Sequence, residues 1–385
     1  MAGAFRLVLI ALAMFATGTD AYVLPGLLPE IAKTLGVEFR AVAQIISAYS
    51  LIYAAFIIPL AVATSRWPFR IAFGVGLALF VAGGLASALT ASLGVMLVAR
   101  CCCGLGVAIV APTCAAAAVA LQPPNRHGRA ISIIMFSISL AMAAGLPAAA
   151  FIAAAFGWRT TLFLLATLAA AALIGALSAS WPERKQSIRV PSLAADRLLL
   201  LGLATAYLAF VGLYCVYIYF GPVFDRATAA NASTLSFLLW LWGLAGVVGS
   251  LATAWLCDRL GARMLVFITL TCLGANFVVL PLTGAAIGSA SVSIAVWGFC
   301  GVMLSIALQR QLIERAPAQT AVLSACFVCA LQGGIATAGG IGGALISKIG
   351  AHQLPLLGSA FLVLAVLVQW AAVSAIGANL ARKPA

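Results

Sequence analysis

Residues 5–30 read FRLVLIALAMFATGTDAYVLPGLLPE, an apolar run whose interior contains a single acid, Asp20. A second apolar run, residues 94–121, contains a single base, Arg100. No other charged residue lies deep inside an apolar segment of the sequence. A charge in the middle of a membrane helix costs about 2.5–3.5 kcal/mol on insertion scales, so it usually faces a partner or a water-filled cavity. A lone acid with a lone base in such a chain indicates ion-coupled transport.

The overall composition excludes a water-soluble globular protein. Of the 385 residues, 65% are hydrophobic and only 8% are charged, whereas soluble domains carry about 25% charged residues. The bilayer must therefore be the main solvent, and in lipid every backbone polar group needs an internal partner. Long apolar runs without alternation then predict helices and not the strands of a barrel. We expect an all-α integral membrane protein.

Hydropathy divides the chain into twelve candidate membrane helices. Each is close to the ~20 residues needed to cross the hydrocarbon core, and the longer ones would be tilted. The predicted spans cover residues 5–27, 43–64, 70–91, 94–121, 130–154, 160–180, 198–220, 233–256, 262–284, 289–311, 319–346 and 354–377.

The basic residues are distributed unevenly between the loops on the two sides. With the N-terminus placed in the cytoplasm, five of them fall outside: Lys33, Arg40, Arg159, Arg226 and Lys348. Fifteen fall inside: Arg6, Arg66, Arg70, Arg126, Arg129, Arg184, Lys185, Arg189, Arg197, Arg259, Arg263, Arg310, Arg315, Arg382 and Lys383. Cytoplasmic loops are enriched in Lys and Arg. We therefore expect a multi-pass protein of the bacterial inner membrane, the plasma membrane of the cell, with both termini cytoplasmic. The net charge of +13 then reflects topology and not nucleic-acid binding.

The chain repeats at about half its length. A polar segment, residues 181–197, lies at the midpoint and predicts a cytoplasmic linker between two six-helix bundles, residues 1–180 and 198–385. A shift of 193 residues matches Arg66 with Arg259, Arg70 with Arg263, Pro124 with Pro317 and Gly157 with Gly350. Parallel repeats with a binding site at their interface are a common transporter plan. The alternative is that any hydrophobic chain with short basic loops gives some such matches.

Several motifs resemble those of the drug:proton antiporters of the major facilitator superfamily. The stretch TGTDAYVLPGLLPE, residues 17–30, is similar to their first-helix signature, and RCCCGLG, residues 100–106, resembles their R-x-x-x-G-x-G motif. Gly145 and Pro147 match the core of their antiporter motif, although its later glycines are replaced by alanines at 148–150. The similarity extends to multidrug, chloramphenicol, sugar and purine-nucleoside exporters and covers nearly the whole chain. It implies twelve helices in two pseudo-symmetric bundles and a membrane-embedded Arg100 that takes part in proton coupling.

A gating motif of the same family is present twice, once in altered form. The sequence DRLGAR, residues 258–263, resembles the cytoplasmic motif D-R-x-G-x-R, and its matching residues are Asp258, Arg259, Gly261 and Arg263. The first copy reads SRWPFR, residues 65–70, and keeps Arg66 and Arg70 but has Ser65 for the acid and Pro68 for the glycine. The resemblance implies that the motif locks one conformation through ion pairs. We expect the first-half gate to be held differently, with fewer ion pairs.

The depths of Asp20 and Arg100 favour a coupled pair. Asp20 lies seven residues from the predicted outer end of its span, and Arg100 about six residues from that of its own. At 1.5 Å per residue both lie roughly 10 Å below the outer surface. Desolvation favours the neutral form of a carboxyl group and a nearby cation favours the ionised form, while arginine stays charged. Asp20 would then load and release a proton in competition with a cationic or polar solute. The alternative is a static ion pair that joins two helices.

Aromatic and amide side chains predict a substrate cavity. Apolar cavities with a few polar groups suit small amphipathic molecules. The candidate lining residues are Tyr22, Gln44, Tyr49, Tyr207, Tyr214, Trp240 and Gln332.

We predict a proton-coupled exporter of a small amphipathic, drug-like compound that acts by alternating access, of the kind that confers multidrug resistance. A metabolite exporter for sugars or purine nucleosides is the first alternative, and a transporter-like membrane receptor without transport is the second. The two histidines lie in loops and no segment is large enough for a catalytic domain, so we expect no enzymatic activity and no catalytic residue. The cysteines show no metal-ligand pattern. We expect no metal and no cofactor, with protons as the coupling ion, and a monomer whose partners are lipid and a small-molecule substrate.

Overall fold

The computed structural model describes residues 2–123, 127–184, 196–229, 231–316 and 319–381. Several residues to which the sequence assigned a role in topology or repeat matching lie outside these ranges: Pro124, Arg126, Lys185, Arg189, Pro317, Arg382 and Lys383. Residues 185–195 of the predicted linker also lie outside them.

The described residues form fifteen α-helices and no strand. The helices are α1 Ala2–Leu35, α2 Phe39–Thr64, α3 Phe69–Leu89, α4 Leu93–Ala120, α5 His127–Leu140, α6 Leu146–Phe156, α7 Trp158–Ser178, α8 Arg197–Tyr217, α9 Phe220–Val223, α10 Asp225–Thr228, α11 Ala232–Leu260, α12 Ala262–Thr283, α13 Ile287–Ile313, α14 Thr320–Ile349 and α15 Leu354–Ala381. A π-helical turn, Ala141–Gly145, joins α5 to α6, and a short 3₁₀ turn, Ala351–Gln353, precedes α15.

Within this part of the chain, twelve helical segments are long and apolar enough to cross a membrane. Most of their ends lie within a few residues of the predicted spans, so the prediction of a twelve-helix, all-α membrane protein is confirmed. One end differs clearly. The first span was predicted to end at residue 27, but α1 continues to Leu35 with Pro25 and Pro29 inside it. Proline removes a helical hydrogen bond, yet membrane helices tolerate it because neighbouring groups satisfy the freed carbonyls.

The chain divides into two compact units. The first comprises residues 1–189 with 231–243, and the second comprises residues 190–230 with 244–385. In the first unit α3 packs on α4 and α7, and α1 packs on α5 and α7. In the second unit α12 packs on α13 and α15, and α8 packs on α14 and α15. The same four pairings therefore occur at matching positions of the two halves.

Local sequence explains several helix boundaries. The carboxylate of Asp196 accepts hydrogen bonds from the backbone N–H groups of Leu198 (2.9 Å) and Leu199 (3.2 Å), and so caps the start of α8. Gly157 and Gly350, which the 193-residue shift matches, have φ values of 85° and 80°. Each occupies the turn before the last long helix of its half, and this backbone conformation favours glycine.

Candidate functional site

Asp20 of α1 and Arg100 of α4 form a buried, two-pronged ion pair. Arg100 Nη1 donates to Asp20 Oδ1 at 3.0 Å, and Arg100 Nη2 donates to Asp20 Oδ2 at 2.6 Å. The exposed fractions of the two side chains are 0% for Arg100 and 3% for Asp20. Bidentate charge-assisted pairs are among the strongest hydrogen bonds in proteins. The structure thus brings together the two charges that the sequence singled out.

The arginine motif explains how α4 approaches α2. Gly104 lies one turn beyond Arg100, and a Cβ atom at this position would lie 2.6 Å from the backbone oxygen of Tyr49. Only a residue without a side chain permits this close contact. As a result, the guanidinium carbon of Arg100 lies 5.2 Å from the centroid of the Tyr49 ring, within the range of a cation–π interaction. Tyr49 is 4% exposed and itself packs edge-on against Tyr53 with centroids 6.0 Å apart.

Gly145 of the antiporter motif packs directly against α1. Gly145 ends the π-helical turn, and a Cβ atom there would collide with the side chain of Thr19, the neighbour of Asp20 in the chain. The backbone N–H of Leu146 donates to the carbonyl of Ala141, which is the longer spacing of a π-helix. Pro147 follows at the start of α6. Such turns are frequent at functional sites, and this one fits α5 closely against the segment that carries Asp20.

The predicted cavity residues are distributed over both units. In the first unit Tyr22 packs against Trp242 with ring centroids 6.2 Å apart, and Gln44 donates to the carbonyl of Arg40 at 3.4 Å. Trp240 is 40% exposed and lies beside Phe237. Among these residues, Tyr49 contacts the ion pair through the guanidinium of Arg100.

In the second unit, Tyr207 shares a hydrogen bond of 2.7 Å with Thr337. The ring of Tyr214 contacts that of Tyr217 at 5.4 Å. Gln332 is 8% exposed, and its side-chain oxygen has no hydrogen-bond partner among the residues that the structure describes.

The intact gating motif forms an ion-pair network at the ends of α11 and α13. Arg310 Nη2 donates to Asp258 at 2.9 Å, and Arg310 Nε donates to Glu314 at 2.8 Å. The guanidinium of Arg259 stacks on the Trp255 ring at 4.0 Å, whereas Gly261 occupies the turn with φ 78°. Sequence reasoning counted Arg310 as a topology residue only. The four-residue spacing between Arg310 and Glu314 at a helix end was the available signal.

The altered copy of the motif is held by other contacts. Ser65 donates to the carbonyl of Val62 at 2.6 Å, and Pro68 has φ −54° where Gly261 has φ 78°. Arg184 Nη1 donates to the carbonyl of Thr64 at 2.8 Å and lies 5.0 Å from the Phe69 ring centroid.

Arg66 and Arg70 are exposed, and neither forms an ion pair with any residue in the described ranges. The 193-residue shift also places Ala117 where the second half has Arg310. Both the acid and its basic partner are thus absent from the first half, and Arg184, from the predicted linker, fastens the end of α2 instead.

Comparison with known proteins places the chain in a family. The family model of the Major Facilitator Superfamily matches residues 10–335. The chain belongs to this superfamily. An uncharacterised transporter of the superfamily from Bacillus subtilis (strain 168), YbcL, is 24% identical over 372 residues, which cover 95% of each chain. A probable sugar efflux transporter from Helicobacter pylori (strain G27) is 26% identical over 366 residues, covering 94% of this chain and 93% of the relative.

A solved structure supports the fold. The crystal structure of a point mutant of the nucleoside transporter NupG superposes with a TM-score of 0.77 at 12% identity and covers 96% of this chain and 99% of its own. At this identity the likeness concerns the fold alone. It confirms the predicted fold, and the curated relatives make the chain a multi-pass membrane transporter.

Proposed function

We propose that this chain exports a small amphipathic compound in exchange for protons, by alternating access, and that it performs no chemical conversion of its cargo. The buried bidentate pair of Asp20 and Arg100 carries the proposal. A carboxylate that merely joined two helices would be an expensive device, since apolar residues of similar volume often replace buried ion pairs without loss of stability. A carboxylate that loads and releases a proton would give the placement next to a fixed cation a function, because burial favours its neutral form and the cation its ionised form.

The energetics are adequate for one proton per cycle. Moving one charge through ~100 mV is worth about 2.3 kcal/mol, which corresponds to a concentration gradient of roughly fifty-fold at about 1.4 kcal/mol per decade. No acid other than Asp20 lies in the interior of a span. We therefore expect one titrating carboxylate and one proton exchanged per solute. Protons are the only coupling ion that the proposal needs.

The direction and cargo are further parts of the proposal. Export is supported by the resemblance of the first-helix and arginine motifs to those of exporters and by the probable sugar efflux transporter among the relatives. That relative also favours a metabolite as the second candidate cargo. We expect the protein to act as a monomer in the inner membrane of a bacterium with both ends of the chain in the cytoplasm.

The test is solute transport in proteoliposomes with an imposed pH gradient. The panel contains amphipathic antibiotics, labelled sugars and labelled purine nucleosides. Wild-type protein should move at least one of these against its gradient, whereas Asp20→Asn should abolish pH-driven movement while the protein remains folded in the membrane. Glu30→Gln is the matched control, because Glu30 is an exposed acid on the same helix. Full pH-driven transport by Asp20→Asn would remove this carboxylate from the mechanism.

A further inference from the structure

Each unit contains very little charge at depth. Asp20 and Arg100 of the first unit are paired with each other. Among the described residues of the second unit, the deeply buried polar groups are neutral. Gln311 and Gln369 hydrogen-bond each other, and Asn276 donates to the carbonyl of Ser293. All other charged residues of the described membrane helices lie at or near helix ends. The membrane-embedded part of the described chain therefore has no net charge when Asp20 is ionised.

The geometry of the ion pair prevents a cationic solute from binding the Asp20 carboxylate. Both oxygens of Asp20 accept from Arg100, and the side chain is almost fully buried. A positively charged solute that approached the carboxylate would meet the guanidinium beside it. Displacement of Arg100 from Asp20 would leave a buried cation without its partner, which is strongly unfavourable. A cationic cargo would require a carboxylate that no fixed cation occupies.

Most of the unused hydrogen-bonding capacity near the pair belongs to neutral groups. In the first unit, the hydroxyl oxygens of Thr19 and Ser47 are buried and have no hydrogen-bond partner in the described part of the chain. The Nε of Arg100, whose charge is compensated by Asp20, is likewise buried without an acceptor there. These atoms match hydroxyl, amide or ring-nitrogen groups of an uncharged molecule. None of them compensates the full charge of a quaternary ammonium or phosphonium ion.

On these grounds, and on the proposed function, we propose that the cargo is electrically neutral, a small amphipathic molecule with hydroxyl or amide groups, and that its exchange for a proton carries one positive charge inward per cycle. In the outward half-cycle the paired site is neutral and the solute adds no charge. In the inward half-cycle a proton from outside binds Asp20 Oδ, leaves the embedded site with the charge of Arg100, and is released to the cytoplasm.

The neighbours of Asp20 do not alter this charge balance. The titratable groups shown beside the pair are Tyr49 of α2 and Cys103 of α4, and Tyr53 packs on the far side of the contact against Tyr49. Phenol and thiol groups in an apolar interior stay neutral at working pH. Among the described residues, the remaining charged side chains of the helices packed on α1 lie near helix ends, as Arg159 does, where it donates to the carbonyl of Thr90. One proton therefore changes the charge of the site by one unit.

The response of transport to a membrane potential distinguishes a neutral cargo from a monovalent cationic cargo. Exchange of a neutral solute for a proton moves net charge, so a membrane potential drives it without a pH gradient. Exchange of a monovalent cation for a proton moves none. Proteoliposomes should therefore receive either a pH gradient or a potassium diffusion potential set with valinomycin. The probes are labelled sugars and nucleosides as neutral compounds and tetraphenylphosphonium as a permanent cation, and liposomes with Asp20→Asn give the background for each.

The outcomes separate this inference from the proposed function. We expect a neutral probe to accumulate under either driving force, by up to about fifty-fold at ~100 mV, and tetraphenylphosphonium to match its background. Movement of tetraphenylphosphonium that the pH gradient drives and the potential leaves unchanged would overturn the neutral cargo and leave proton coupling intact. If neither force moved any probe above background, both the proposed function and this inference would be wrong.

Discussion

The guanidinium carbon of Arg100 lies 5.2 Å from the centroid of the Tyr49 ring, so the cation has a second partner that does not titrate with Asp20. If Asp20 takes up a proton, as the proposed function requires, its attraction for Arg100 falls. The face of Tyr49 remains available, and a buried cation–π contact is worth about 2 kcal/mol. In the proposed cycle, Tyr49 would thus keep the guanidinium in place during the half-cycle in which Asp20 is neutral.

Replacement of Tyr49 by Leu should therefore slow proton-driven transport by roughly ten-fold, the rate equivalent of about 1.4 kcal/mol. Tyr49→Phe keeps the ring and should retain most of the rate. Initial rates of pH-driven transport, measured across a range of external pH, check this prediction. If the Phe variant were as slow as the Leu variant, the hydroxyl group and not the aromatic face would be the important feature.

Gly104 should be intolerant of even the smallest side chain. A Cβ atom there would lie 2.6 Å from the backbone oxygen of Tyr49, and a backbone atom cannot move aside as a flexible side chain can. Gly104→Ala should lower stability by about 1–3 kcal/mol through overpacking and disturb the ion pair one turn away. Gly94→Ala is the control on the same helix, since its nearest neighbour would lie 3.7 Å away. Thermal unfolding in detergent should separate the two variants; equal melting temperatures would contradict the close-contact argument.

Arg184 should restrain the end of α2. It donates to the carbonyl of Thr64 and stacks on Phe69, and Phe69 belongs to the buried cluster that includes Cys114. Loss of a charged hydrogen bond of about 1.5 kcal/mol corresponds to a roughly ten-fold increase in local opening. Arg184→Ala should raise the rate at which N-ethylmaleimide modifies Cys114, followed by peptide mass spectrometry.

The control for this experiment is Arg66→Ala, which removes an exposed base close to Thr64 along the chain. Its labelling rate should equal that of the wild type. Equal protection of Cys114 in all three proteins would mean that Arg184 does not hold this end of the first unit closed.

Gln311 and Gln369 should depend on each other. Their side chains exchange two hydrogen bonds, of 3.3 and 2.9 Å, and are 4% and 0% exposed. Gln369→Leu would leave the Gln311 amide buried without its partner, at a cost of about 1–3 kcal/mol. The double replacement Gln311→Leu with Gln369→Leu removes both polar groups and should recover much of the lost stability. Melting temperatures of the two single variants and of the double variant check this prediction. A stability loss in the double variant that equals or exceeds the sum of the two single losses would contradict it.

The architecture was predictable because bilayer thickness and backbone chemistry leave few options. Long apolar runs of ~20 residues can satisfy their backbone only as helices, so the twelve spans followed from hydropathy. The end of α1 was not predictable in the same way. Pro25 and Pro29 indicate an exit from the helix by ordinary propensity, yet the helix continues to Leu35.

The side-chain contacts of the site were predictable only in part. Matching depths indicated that Asp20 and Arg100 could meet, since charges at depth have few alternatives. The roles of Arg184 and Arg310 were missed because loop and helix-end arginines are expected from topology alone, and only the three-dimensional structure shows which carbonyl or carboxylate each one reaches. The pairing of Gln311 with Gln369 joins two residues that lie 58 positions apart in the sequence, and no local spacing indicates it.

The π-helical turn at Ala141–Gly145 changes the direction in which the packing face of the fifth membrane crossing points, so that α5 and α6 present different faces. One additional residue within a turn rotates everything beyond it by about 100° relative to a regular α-helix. The packing face of α5 and that of α6 can thus contact different neighbouring helices within a single membrane crossing. Insertion or deletion of one amino acid in this turn during evolution could change how Gly145 packs against α1 without altering the composition of either helix.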